Sequence, residues 1–100
     1  MTHFIGKLEE NFMKIYFGID CAPGSIRPNT YAEKVFDKLG VNPIEPYSKL
    51  FGAWEWEVDV DDNFDYESFK TWMKAEMDEL YNTGRIRGAQ WNKVETGENL

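Results

Sequence analysis

Two groups of residues carry chemistry in this chain. The first is its single cysteine, Cys21, followed at Ser25 by a hydroxyl and at Arg27 by a guanidinium, inside the stretch "FGIDCAPGSIRPNT". A thiol at the end of a strand, with a cation six residues on and a helix N-terminus to follow, has the surroundings that depress a thiol's pKa toward the nucleophilic thiolate. The second is the acidic run from Glu55 to Glu67, which holds seven carboxylates and no base: Glu55, Glu57, Asp59, Asp61, Asp62, Asp65 and Glu67. Such a run suits either an oxygen-ligand metal site or a negatively charged docking face.

The elements that position the first group read clearly. "MKIYFGID" alternates Met13, Ile15, Phe17 and Ile19 against Lys14, Tyr16 and Gly18, the period of a strand with one buried face. Residues 21–29 are punctuated by Pro23, Gly24, Pro28 and Asn29 as a loop. "TYAEKVFDKLG" then reads as a helix, with Thr30 and Glu33 as a capping box and Gly40 closing it. The pattern Cys21, five residues, Arg27 resembles the phosphate-binding loop of cysteine-dependent phosphatases, which would imply phosphate-ester chemistry at Cys21 with Arg27 on the phosphoryl oxygens. The chain departs from that pattern in three places. Pro23 removes a donor from the cradle, Asp20 sets a negative charge beside the sulfur, and Pro28 stands where that family carries a Ser or Thr. The same segment, "KIYF", "GSIRP" and "YAEKVFDKLG", resembles the opening strand, loop and helix of nucleoside deoxyribosyltransferases over about 27 residues. That resemblance implies a nucleoside-contacting loop, and the segment bearing that family's nucleophilic glutamate has no recognisable counterpart. The residue reading favours Cys21 as a small core residue.

In the second group, "AWEWEVDVDD" alternates strictly. Trp54, Trp56, Val58 and Val60 fall on one face, and Glu55, Glu57, Asp59 and Asp61 on the other, as in a strand with one dry and one wet side. Same-face neighbours on a strand stand about 6.6 Å apart, so these carboxylates form a regular negative row. A helix is predicted from Tyr66 to Asn82, with Asp65 as N-cap, Phe64 stapled onto Phe69, an apolar stripe of Phe69, Trp72, Met73, Met77, Leu80 and Tyr81, and Gly84 as its stop. "RIRGAQWNKV" reads as a last strand with Gly88 permitting a bulge, and residues 95–100 as a frayed tail. Ahead of the first strand, "HFIGKLEENF" is expected to pair back as a hairpin with Phe4 and Leu8 inward. Residues 41–52, with Pro43, Pro46 and Gly52, are expected to be irregular. The order predicts an α+β single domain over residues 1–100, a small sandwich with a three- to four-stranded, mostly antiparallel sheet and two helices on one face. Met13 offers an alternative start that would make residues 1–12 dispensable.

Composition narrows the function. The chain has 100 residues, 11 Lys and Arg against 18 Asp and Glu, and a net charge of −7. All of the excess lies in the second half, where twelve acids face five bases, while the first half is balanced at six of each. This argues against direct binding of nucleic acid, whose affinity for proteins comes mostly from Lys and Arg on phosphates, and for a basic partner surface. With no apolar span and no signal-peptide core, the chain is expected to be cytoplasmic, with no membrane association. Asp59, Asp61, Asn63, Asp65 and Glu67 offer oxygens at alternate positions, yet Phe64 and Lys70 break the EF-hand pattern at the turn glycine and the bidentate Glu. No metal or cofactor is therefore expected. His3 is the sole histidine, so His-based triads and metal sites are disfavoured. The four Trp read as core, and Tyr47, Phe51 and Tyr81 as exposed anchors.

The sequence thus predicts a small acidic, non-enzymatic binding module that occupies a basic surface of a nucleic-acid-handling partner. It would imitate nucleic acid, in the manner of viral anti-defence inhibitors. Glu55, Glu57, Asp59, Asp61 and Asp62 would supply the charge, extended by Glu76, Asp78 and Glu79 of the second helix. The alternative is a small phosphate- or nucleotide-binding enzyme using Cys21 and Arg27.

Overall fold

The structure is a computed structural model that describes residues 12–21, 28–50 and 52–94. Four strands, β1 (Phe12–Asp20), β2 (Ser48–Leu50), β3 (Ala53–Asp61) and β4 (Gly88–Val94), form one antiparallel sheet in the order β2-β3-β1-β4. Two helices, α1 (Pro28–Leu39) and α2 (Tyr66–Asn82), pack on one face of it. This is the α+β sandwich expected from the pattern of elements.

The core lies between sheet and helices. Ile15, Phe17 and Ile19 of β1 and Trp56, Val58 and Val60 of β3 face Ala32, Val35, Phe36 and Leu39 of α1 and Phe69, Met73, Met77 and Leu80 of α2, all buried. At its centre Phe17 stacks on its cross-strand partner Trp56 at 4.9 Å, and the Phe36 ring meets both edge-on, at 5.6 and 6.0 Å. The indole N–H of Trp56 donates to the Ile44 carbonyl at 3.1 Å, so this large side chain is buried with its polar atom satisfied.

Local signals set the helix ends. Asp65 caps α2, accepting from the Ser68 amide at 3.0 Å, and the Phe64 ring lies 5.8 Å from that of Phe69, as the staple requires. Both helices stop the same way. Gly40 and Gly84 take left-handed φ values of 76° and 77°, and the residue after each donates back to the last turn, Val41 to the Phe36 carbonyl and Arg85 to that of Leu80.

Three expectations change. The helix α1 begins at Pro28 rather than with a Thr30 cap, because proline's fixed φ suits a first helical turn and its missing N–H has no partner there anyway. Part of the connection expected to be irregular is the short strand β2, which pairs with β3. The register of β4 against β1 runs unbroken from Gly88 to Val94, so Gly88 makes no bulge there. The expected N-terminal hairpin falls outside the described residues. The tail at 95–100 also lies outside the described residues.

Candidate protein-binding face

Both described helices pack on one face of the sheet, so among the described residues the other face is open, and β3 lies between β2 and β1 in the sheet. The β3 alternation holds. Trp56, Val58 and Val60 are buried while Glu57, Asp59 and Asp61 are exposed, with Glu55 half-buried on the same side. Across the ladder, Glu55 stands opposite Gly18, Glu57 opposite Tyr16, Asp59 opposite Lys14 and Asp61 opposite Phe12. Backbone pairing with β1 runs the whole length of β3, and β2 adds pairing on the other side from Ala53 to Glu55, so the row sits on an ordered strand and little ordering entropy is lost when a partner binds it.

Each carboxylate has its own surroundings. Glu55 accepts from the Tyr47 hydroxyl at 2.8 Å. Loss of water around that hydroxyl, then the hydrogen bond to Glu55, then the negative charges of Glu55 and Glu57 push the Tyr47 phenol up to about 12. Tyr16 shifts upward too, through burial first and the Glu55 charge second. Its ring lies across Gly18, where an added Cβ would come within 2.9 Å of the Tyr16 hydroxyl oxygen and 3.4 Å of Glu55 Cγ. Asp59 pairs with Lys14 at 2.9 Å, and Asp61 accepts from the Asn63 amide at 2.8 Å to start the turn after β3. Glu57 and Asp62 are exposed, with no ion pair or side-chain hydrogen bond among the described residues. Within the row, then, Lys14 offsets one charge and three carboxylates keep theirs.

The helix acids belong elsewhere. Glu76 pairs with Lys34 at 3.1 Å and ties α2 to α1, Asp78 pairs with Lys74 at 2.9 Å, and Glu79 is exposed. All three lie in the helical layer, so the structure sets Glu55, Glu57, Asp59 and Asp61 in one row, with Asp62 exposed in the turn that follows, and does not bring the helix acids to them. The oxygens considered for calcium are also dispersed. Asp65 is held by Ser68 and lies below the usual carboxylate range because of those hydrogen bonds, and no group of three His, Cys, Asp or Glu converges on a metal position among the described residues.

Cys21 is 1% exposed and belongs to the core cluster, its amide donating to the Gly52 carbonyl at 3.0 Å. Burial raises its thiol pKa, the Asp20 charge adds to this, and Arg87 opposes it. A buried thiol pushed toward its neutral form is the reverse of what a nucleophile needs. Ser25 and Arg27 lie outside the described residues, as does Phe51. Among the tryptophans, Trp56 is core, whereas Trp54, Trp72 and Trp91 are partly buried; the Lys49 ammonium lies 4.8 Å from the Trp54 ring centre. Tyr47 and Tyr81 are each 59% exposed, as anchors must be.

Sequence reasoning missed Lys14, Tyr16 and Tyr47 as parts of this face. The alternation of β1 placed Lys14 and Tyr16 on its wet side, but which carboxylates they meet depends on a cross-strand register that no local pattern encodes. Comparison with protein-family models, with curated proteins and with solved structures finds no match to this chain.

Proposed function

We propose that the open face of the sheet docks onto a basic protein surface, in a partner that handles nucleic acid, and that the protein acts there as a nucleic-acid mimic of the viral anti-defence inhibitor kind. One observation carries this reading: Glu55, Glu57, Asp59 and Asp61 stand in one row on β3, which pairs with β1 along its length, on the face opposite the two described helices. A fixed row of like charges steers a cationic groove into contact and costs little to organise. Tyr47 at the margin supplies an exposed aromatic of the type that anchors interfaces.

The test is affinity capture from the lysate of the native host at low and high salt, comparing the natural protein with a variant carrying Glu57→Lys, Asp61→Lys and Asp62→Lys. All three positions are exposed and the lost Asp61 hydrogen bond from the Asn63 amide is confined to the turn after β3, so the variant should lose a little stability yet melt cooperatively with an unchanged circular dichroism spectrum. The expected result is a nucleic-acid-binding partner that is retained at low salt, released at high salt, and lost by the variant. A complex indifferent to both salt and charge reversal removes the proposal.

A further inference from the structure

The sheet has two edges, and they are built differently. At one, β2 is three residues long, carries Lys49 and follows Pro46, and beyond it the edge is β3 itself with Glu57, Asp59 and Asp61, all features that blunt an edge against pairing with other chains. At the other, β4 runs seven residues with no proline and an unbroken register on β1, and among the described residues nothing pairs with its outer side. Beside it is a hollow of about 200 Å³ lined by Met77, Tyr81, Ile86, Ala89 and Trp91, with Asp78 at its rim. Tyr81 is 59% exposed there.

We propose that this edge is a dimer interface, in which β4 of a second copy of the chain pairs antiparallel with β4 about a two-fold axis at Trp91. A two-fold contact demands a patch complementary to itself, and three features meet that demand. On the solvent face of the sheet, Gln90 falls opposite Asn92 of the second copy, one amide facing another and each able to donate and accept. On the helix side, Trp91 meets its own counterpart, and Ala89 leaves room for the long side chain of Lys93 in the second copy. On the flanking helix, Lys74, Asp78 and Tyr81 occupy positions i, i+4 and i+7 of one stripe, and the Lys74 ammonium is 2.9 Å from the Asp78 carboxylate. Two such helices brought together by the axis run antiparallel, so Lys74 of each faces Asp78 of the other. That charge pattern matches a second copy of itself.

Light scattering and sedimentation across a concentration series, with hydrogen exchange of the β4 amides, test the proposal. The natural protein should form a dimer whose β4 amides gain protection as concentration rises. Asp78→Lys should weaken the dimer by about tenfold, because the axis repeats each lost pair and sets like charges against each other. The swap of Lys74→Asp with Asp78→Lys should restore it, since the exchanged pair is equally self-complementary. Three results overturn the proposal: a monomer at every concentration; a monomer whose β4 amides are protected regardless of concentration, which means that the chain covers its own edge; or a dimer that ignores both substitutions.

Discussion

The Lys14 ammonium and the Asp59 carboxylate face each other across β1 and β3 at 2.9 Å, on the open side of the sheet. Both side chains are exposed, 37% and 62%, so water screens the pair and its contribution to stability is about 0–1 kcal/mol. Its effect on the surface field is larger, because Lys14 is the cation that stands in register with the row. Replacing Lys14 with Ala should shift the unfolding free energy by less than about 1 kcal/mol while tightening association with a basic partner and steepening its salt dependence. Urea denaturation and binding titrations at two ionic strengths check the two halves separately.

Tyr47 gives the face a signature at high pH. Its phenol is raised from 10.0 to about 12 in the folded protein. A group whose folded pKa exceeds its unfolded value holds its proton more tightly when folded, so the stability it contributes is complete below pH 10 and is lost as pH rises through about 12. Phenolate absorbance should show one tyrosine titrating well above the ordinary range, and Tyr47→Phe should remove that step. A Glu55→Gln variant should bring the Tyr47 titration back toward the ordinary value.

Trp56 tests the core beneath the row. It stacks on Phe17, meets Phe36 edge-on and is 1% exposed, so Trp56→Ala leaves a cavity and an orphaned Ile44 carbonyl. Loss of about 3–5 kcal/mol is expected, a large part of the stability of a domain this size. Chemical denaturation measures it directly, with Trp56→Phe expected to recover part of the loss.

Cys21 should behave as core. Thiol reagents should label it slowly in the native protein and rapidly once denaturant opens the fold, since its side chain is buried and its thiol pKa is raised by that burial. Fast labelling under native conditions, with a rate that implies a thiolate at neutral pH, contradicts this assignment.

The strong local signals in the sequence marked those elements whose pattern and burial agree. The strict alternation in β3, the Asp65 cap, the Phe64 staple and the glycines after both helices each satisfy their own chemistry within a few residues, and the fold keeps them. Long-range pairing is what made β2 illegible. Three residues between Pro46 and Gly52 have no periodicity to read, and they become a strand because β3 offers an edge. The candidate face was half legible for the same reason. The four carboxylates share a side by arithmetic along one strand, whereas the Lys14 and Tyr47 contacts, and the separation of Glu76, Asp78 and Glu79 into the helical layer, follow from how distant segments meet. The Thr30 capping box failed because Pro28 starts a helix two residues earlier by steric fit alone.

The order of strands bears on how the protein comes to exist. Among the described strands β1 comes first in the sequence yet ends in the interior of the sheet, bonded to β3 and to β4, the latest of the four. Its apolar side is not fully flanked until residue 94 has cleared the exit tunnel, so formation of the sheet is governed by long sequence separations. Nascent chains stalled before β4 should expose Ile15, Phe17 and Ile19 to chaperones, and emergence of β4 should be what ends that exposure.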